Sequence, residues 1–416
     1  MTGLVVDGTH RHIVAPSAGT DMERNIRSLT FYFWPAQNGE RRMEDGHEAM
    51  PSRDPIHTIV FTSGTTAAGK PIPLTARNHW WNELGSALRL GTRPDELWLC
   101  CLPLHHVGGM AILLRSVLYG VPVRLEPSFD VDRISAQLDT GQVTMVSMVS
   151  TMLLRLLDVR NDRPFHPALR CILLGGGPIP RSLVERCMGA HIPIAPTYGM
   201  TETASQSATL SPNEVPAQPE SAGRALIGID LRVLTGPELE VQRSNSAPTD
   251  VPERPTGSRG LGRIAVAGPS VSPYVNPEND DSGTGLFVTR DLGYLNPEGF
   301  LVVVDRLEDL IVTGGENVSP SEIESVLLSH PGILEAGVVG IPDPVWGEAV
   351  VAAIVARAPE DGAPDLEGFC RARLPGYQRP KRFLFVDELP RTASGKLRRN
   401  DLRQRVLALE SRGGPE

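Results

Sequence analysis

The sequence predicts an α/β protein: a large N-terminal domain of mostly parallel sheet covered by helices, then a smaller α+β C-terminal domain. Three observations predict it. Short apolar runs alternate with amphipathic stretches of helix length from residue 56, the texture turns to Pro, Ser, Asn and Glu after Thr203, and a fresh strand and helix pattern begins beyond Arg306. Strand, helix, strand at such spacing means parallel pairing with helices on both faces.

Taken in order, Ile56–Phe61 reads as a strand followed by a helix at Asn78–Leu90. Leu97–Leu102 is paired with a helix at Gly109–Leu118, and Val121–Leu125 with Val131–Leu138. Strands continue at Val143–Val149, Leu169–Leu174 and Ile192–Pro196, with helices at Thr151–Leu157 and Arg181–Met188 between them. Ligands of such sheets bind in the loops after the strands' carboxyl ends. Arg243 to Gly260 reads as a surface excursion, and Gly262–Gly268 and Phe287–Arg306 as short strands joined by Gly and Asn-Pro turns. The second domain, placed after Arg306, holds a helix at Pro320–Leu328, strands at Ala336–Gly340 and Ala349–Ala356, and a helix near Leu366–Leu374.

Length and composition set bounds. At 416 residues, two domains are expected, and 40% hydrophobic and 21% charged residues are globular values. A formal charge of -9 argues against a nucleic-acid partner, which requires basic patches. Cys100, Cys101, Cys171, Cys187 and Cys370 lack CxxC spacing and read as reduced core residues of a cytoplasmic protein. No apolar stretch nears the roughly 18 residues that span a bilayer, so no membrane insertion is expected.

Five segments carry groups suited to nucleotide chemistry. Thr62-Ser63-Gly64-Thr65-Thr66 leads to Lys70 and packs hydroxyls, glycines and a cation, all able to meet a polyphosphate. Gly64 to Lys70 also fits the core of a nucleoside-triphosphatase loop, but Pro71 stands where that motif needs Ser or Thr for magnesium. The plain alternative is a solvated turn. Thr197-Tyr198-Gly199-Met200-Thr201-Glu202 offers an aromatic ring, hydroxyls and a carboxylate for magnesium, or is merely a strand-end turn. Gly175-Gly176-Gly177 lets backbone approach a flat ligand. Asp291 and Arg306 suit a ribose, or form a surface ion pair; Lys396 lies on a Gly/Ser loop, where a solvated charge is the ordinary reading.

In this order the five segments resemble the signature set of the adenylate-forming superfamily of acyl- and aryl-CoA synthetases, luciferases and peptide-synthetase adenylation domains. The likeness runs from about Ile56 to Arg399 and includes Asp309-Leu-Ile-Val-Thr-Gly-Gly-Glu-Asn-Val-Ser-Pro-Ser-Glu-Ile-Glu324, at the start of that family's mobile C-terminal domain. The resemblance implies ATP, Mg2+ and coenzyme A. Thr62 to Lys70 would cradle the phosphates, Thr201 and Glu202 would serve phosphate and magnesium, and Tyr198 and the Gly175 loop would flank adenine. Asp291 and Arg306 would hold ribose, Lys396 would bridge the attacking carboxylate and α-phosphate, and Glu308 would be the hinge.

Asn78 to Leu88, Leu102 to Gly109, Leu173 to Pro178 and Thr197 to Ser205 are similar to the branch that ligates 2-succinylbenzoate in menaquinone synthesis. That implies a small aromatic dicarboxylic acid as substrate, in a pocket walled by His106 and Gly109, with Arg115 for the distal carboxylate. Arg115 reads equally as a helix surface charge, and His106 as a packed core histidine. Other aryl- or acyl-CoA ligases, carrier-loading adenylation proteins and a silent nucleotide-binding relative stay open. Ala67, Gly69 and Pro71 depart from the family's usual Gly, Pro and Gly, and the chain carries less than the usual length before residue 62. A reduced N-terminal subdomain is therefore expected, with a homo-oligomer as one means of compensation.

Overall fold

The computed structural model describes residues 5–6, 11–12, 30–31, 56–62, 70–161, 163–235, 260–275, 286–357, 365–392 and 395–412. Met1–Asp54 and Pro55–Glu416 form two compact units. In the first, β1 (Val5–Val6), β2 (Arg11–His12) and β3 (Thr30–Phe31) form an antiparallel sheet. The second holds every motif named above. Of these, Ser63 to Gly69 lie outside the described residues, as does all of the Arg243 to Gly260 excursion except its last residue.

β4 (Ile56–Thr62) does not feed a helix, as the periodicity suggests, but pairs antiparallel with β5 (Lys70–Thr75), Thr62 opposite Lys70. A triphosphatase loop leads from strand into helix, with its lysine at the helix start. Here Lys70 opens a strand, so that alternative fails on topology. The apolar positions of this short hairpin are explained by packing: Val60, Ile72 and Leu74 bury against Ala204 and Val275.

α1 (Ala76–Leu90) starts where Thr75 accepts from the Asn78 amide and Asn78 accepts from Thr75 in return, a capping box that fixes the helix start. There follow β6 (Trp98–Cys100), α2 (Val107–Tyr119), β7 (Val123–Leu125), α3 (Val131–Asp139), β8 (Met145–Met148), α4 (Ser150–Arg160), β9 (Cys171–Leu174), α5 (Arg181–Gly189) and β10 (Ile194–Met200). The order across the sheet is β7-β6-β8-β9-β10, all parallel. Beyond β10 two strands missed in the sequence turn the edge antiparallel: β11 (Ser205–Thr209) and β12 (Arg224–Ala225).

Alternation along each parallel strand sorts side chains between two cores. Leu99, Val146, Met148, Ile172, Leu174 and Ile194 face one, with α3, α4 and α5 residues such as Ile134, Leu153 and Leu183. Trp98, Cys100, Met145, Cys171, Leu173 and Ala195 face the other, with Ile112 of α2. Both faces are covered, which is why these strands read as unbroken apolar runs. All five cysteines are free and buried, as their apolar settings suggested.

An antiparallel sheet follows, made of β13 (Asp230–Leu234), β14 (Gly262–Ala267), β15 (Phe287–Leu295) and β16 (Leu301–Arg306). After Arg306 the chain changes sheets. β17 (Ile311–Thr313), β18 (Glu316–Val318), β19 (Ile333–Asp343), β20 (Gly347–Ala356) and β21 (Arg382–Phe385) form a five-stranded sheet. It carries α6 (Pro320–Leu328), α7 (Leu366–Arg371) and a last helix not foreseen, α8 (Arg399–Arg412). Val338, Val350, Ala352 and Ile354 pack with α6 and α7, whereas Val339, Ile341, Val351 and Ala353 meet Leu402 and Val406 of α8.

Several contacts between this last part and the rest are polar. Asp158 of α4 meets Arg357 at 2.9 Å, Arg155 meets Glu335 at 3.5 Å, and the Arg181 amide donates to the Ser325 hydroxyl at 3.1 Å. Asp305 on β16 accepts from the Ser319 hydroxyl at 2.7 Å and the Ser321 amide at 3.1 Å, both at the start of α6.

Candidate active site

The strand order reverses between β6 and β8, so the loops that leave those strands diverge and open a crevice at their carboxyl ends. His106 sits there as the N-cap of α2, after β6, and Val149 holds the matching position before α4. Burial, then the neighbouring His105 ring 4.3 Å away, lowers the His106 pKa, and its Nε2 is buried without a partner among the described residues. Gly109 contributes to packing: a Cβ there would stand 2.4 Å from the Pro103 carbonyl oxygen.

Val149 also gathers two further loops. A Cβ on Gly176 would lie 3.3 Å from its Cγ1, and one on Gly395 3.1 Å from its Cγ2. Gly395 has φ +84°, a conformation costly for any side chain, and its Cβ would come within 2.9 Å of Thr151 Oγ1. The lysine loop is a tight hairpin in which the Thr392 amide donates to the Lys396 carbonyl at 2.8 Å, and the Lys396 amide to Thr392 Oγ1 at 3.1 Å. This hairpin docks where Gly175, Gly176 and Gly177 leave β9; Gly175 is pressed close to Thr197, whose methyl carbon would lie 2.6 Å from an added Cβ.

Lys396 enters a charged neighbourhood. Its pKa is lowered by burial and by Arg306, while Asp291, Asp309 and Glu308 act the other way. Asp291 and Arg306 are register partners on β15 and β16, and Arg306 Nε donates to Asp291 Oδ1 at 3.1 Å. The Tyr198 hydroxyl donates to Asp291 Oδ2 at 2.7 Å. Each carboxylate oxygen retains further lone pairs. Tyr198 is 9% exposed and packs with Ile264 and Leu301, so little of its ring is left for a purine. Burial, then the Asp291 charge, pushes its phenol well above the usual range. Glu308 lies in the short turn after Arg306, 3.5 Å from that guanidinium.

Thr201 and Glu202 lie in the turn that joins β10 to β11. A bulge at Tyr198/Gly199 shifts the register, and Ala204 and Ser205 take φ values of 58° and 131°. Such backbone is unusual for non-glycine residues and persists only when its surroundings hold it. No described side chain pairs with the Glu202 carboxylate, and among the described residues no group of three or more metal-binding side chains forms. Mg2+ keeps water and phosphate oxygens and takes only one or two carboxylates from protein, and Glu202 offers one. Thr197 is tied into the sheet by bonds to the Ala208 carbonyl at 2.9 Å and Thr209 at 2.8 Å. Thr62 donates to the Lys70 carbonyl at 3.3 Å, and both stand at the mouth of the β4–β5 hairpin.

Arg115 departs from expectation. It is 1% exposed, ion-paired with Glu83, bonded to Asn82 Oδ1 at 3.2 Å and 5.4 Å from the Trp98 ring centre. A cation neutralised inside the protein by a carboxylate is not free for a substrate's, and both earlier readings of Arg115 give way to this buried pair. The sequence reading missed Glu83, Asn78 and Asn82: on a helix they look like solvated polar positions, and only tertiary contacts reveal their burial.

A profile of the AMP-binding enzyme family matches residues 9–274, and that of the AMP-binding enzyme C-terminal domain matches residues 322–396. The chain is 41% identical over 392 residues to a 2-succinylbenzoate–CoA ligase of Bacillus cereus, covering 93% of this chain and 78% of that protein. It is 42% identical over 362 residues to the enzyme of the same name from Geobacillus kaustophilus, covering 85% and 70%. Among solved structures it resembles o-succinylbenzoate CoA synthetase from Bacillus subtilis in complex with its acyl-adenylate intermediate. That likeness has a TM-score of 0.70 at 40% identity and covers 84% of this chain and 69% of that one. The same synthetase with ATP and a magnesium ion gives a TM-score of 0.70, with 84% and 70% covered. Profile, sequence and structure thus agree: the chain belongs to the AMP-binding, adenylate-forming enzyme family.

Proposed function

We propose that the chain is an ATP-dependent acid–CoA ligase that converts 2-succinylbenzoate, ATP and coenzyme A to 2-succinylbenzoyl-CoA, AMP and diphosphate, in menaquinone synthesis. The observation that carries this reading is the entry of Lys396, on a hairpin of the C-terminal part, into the neighbourhood of Asp291 and Arg306. The names of the relatives support the choice of acid.

In the first half-reaction a carboxylate oxygen of the acid attacks the α-phosphorus and the bond to the β-phosphate oxygen breaks, releasing diphosphate. Lys396 places positive charge where the pentavalent state gathers negative charge. Asp291, oriented by the Tyr198 hydroxyl, and Arg306 hold the ribose, the glycine loop borders the base, and Thr62 to Lys70, Thr201 and Glu202 meet the phosphates. A bound Mg2+ neutralises phosphate charge, and Glu202 is the side chain that would hold it. In the second half-reaction the thiol sulfur of coenzyme A attacks the acyl carbon, the bond to AMP breaks and the thiol proton passes to solvent. The acid lies in the crevice beside His106. We keep the domain boundary after Arg306, where the chain changes sheets, with Glu308 as the hinge for a rotation that exchanges the lysine for coenzyme A.

No described helix is long and apolar enough to cross a membrane. Five buried thiols suit a reducing compartment, and we place the reaction in the cytoplasm, where ATP and coenzyme A are available. A panel of 2-succinylbenzoate, simple benzoates and fatty acids, with ATP, magnesium and coenzyme A, tests the assignment through AMP and thioester formation. Preference for another acid would overturn the substrate, and thioester formed only on a carrier-protein arm would overturn the ligase.

Tyr198→Phe tests the ribose site. Removing a hydrogen bond to a charged acceptor costs about 1.5–3 kcal/mol. The variant is therefore expected to raise KM for ATP by about ten-fold or more, with KM for the acid little changed in steady-state assays. An unchanged KM for ATP would detach Tyr198 from nucleotide binding.

A further inference from the structure

α1 turns two buried amides toward the backbone that carries Glu202. Asn78 and Asn82 are one helical turn apart, 3% and 1% exposed. Asn82 Nδ2 donates to the Thr203 carbonyl at 3.0 Å and to the Gln206 carbonyl at 2.7 Å. Asn78 Nδ2 donates to the carbonyls of Pro269 and Val271 at 2.8 and 2.9 Å. The loop that Asn78 grips holds the other side of the same turn, since the Ser272 amide donates to the Glu202 carbonyl at 2.8 Å.

The acceptor side of each amide is also committed. Asn78 Oδ1 accepts from the Thr75 amide at 2.8 Å, at the end of the β4–β5 hairpin. Asn82 Oδ1 accepts from Arg115, whose charge Glu83 neutralises. The Thr203 and Gln206 carbonyls flank Ala204 and Ser205, the two left-handed residues of the turn, beside the bulge that interrupts the ladder. An unmet buried carbonyl is costly, so the Asn82 amide is what makes that backbone path tenable.

We infer that Asn82, supported by Arg115 and Glu83, is a positioning residue for adenylate formation: it fixes the Thr201–Glu202 turn against α1, the helix into which the β4–β5 hairpin leads. The inference rests on the reading of Thr201 and Glu202 as phosphate and magnesium residues. It confines the effect to the half-reaction that handles a triphosphate, because thioester formation from a finished adenylate has no diphosphate to bind.

The test is Asn82→Asp, which keeps the acceptor for Arg115 and removes both donors. A misplacement of about 1 Å can cost about 10²-fold in rate. Diphosphate release is accordingly expected to fall about 10²-fold, with a higher magnesium requirement, while thioester formation from supplied acyl-adenylate stays near wild type. Asn82→Ser, which retains one donor, should recover part of the loss, and it carries the same comparison if the Asp variant loses its melting transition. Equal losses in both half-reactions, or none in the first, would overturn the inference. Wild-type protein that releases no diphosphate with any acid would instead remove the functional reading beneath it.

Discussion

Lys396→Ala is expected to slow adenylate formation by about 10²–10³-fold, the range for loss of one preorganised electrostatic stabiliser of a charged transition state. Thioester formation from supplied acyl-adenylate should stay near the wild-type rate, because the proposed rotation takes the lysine hairpin away before coenzyme A reacts. Single-turnover diphosphate release and thioester formation separate the two steps. The pH profile adds a second readout. Burial and Arg306 lower the Lys396 pKa from its ordinary 10.5. Since the cation is the active form, the adenylation rate is present below the lowered value and lost as pH rises through it. The alkaline limb therefore lies below 10.5 for adenylation and is absent from the thioester step. Equal loss in both steps, or an identical alkaline limb in each, would refute the role.

Arg115→Met should destabilise the fold far more than it disturbs substrate binding. Removing one partner of a buried pair typically costs about 3–5 kcal/mol, because the other charge stays behind unpaired. Burial already pushes the Glu83 carboxyl up from 4.5 to about 7, with the Arg115 charge acting to lower it. Without Arg115 the carboxyl rises further. A carboxyl whose folded pKa is raised binds its proton more tightly in the folded state than in the unfolded. Its penalty is absent below about 4.5 and grows as pH rises through the folded value. The difference in Tm between wild type and variant should therefore be small near pH 5 and widen toward pH 8, and Glu83→Gln in the same chain should restore much of it. A variant that melts like wild type, with only KM for the acid raised, would return Arg115 to the substrate pocket.

Much of the molecule was legible because its local signals agree with its fold. The parallel strands carry two-faced apolar runs, α6 begins with Ser319 and Pro320 at the positions a helix start favours, and the loop motifs follow strand ends. What the sequence concealed depends on partners far along the chain. β5 contains two prolines and reads as a continuation of the preceding loop; it is a strand because its other residues pair with β4 and bury against Ala204. α8 carries many charges, and only the β19–β20 sheet reveals that Leu402 and Val406 form its inner stripe. Lys396 and Asp291 stand out by motif, Asn82 and Glu83 do not: the former lie in loop patterns visible in the sequence, the latter stand out only through burial.

The seam between the C-terminal part and the body has a consequence for timing. Two of its links, Asp158 with Arg357 and Arg155 with Glu335, are partly exposed ion pairs whose groups water can satisfy once they separate. Exposed ion pairs contribute about 0–1 kcal/mol each, whereas an apolar seam of the same extent would bind the two parts as a core does. The two arrangements of the proposed rotation would then lie close in free energy, with neither a trap. Under that proposal the occupant of the cleft would set the populations: bound ATP would favour the arrangement with the lysine hairpin in place, and departure of diphosphate would withdraw that preference.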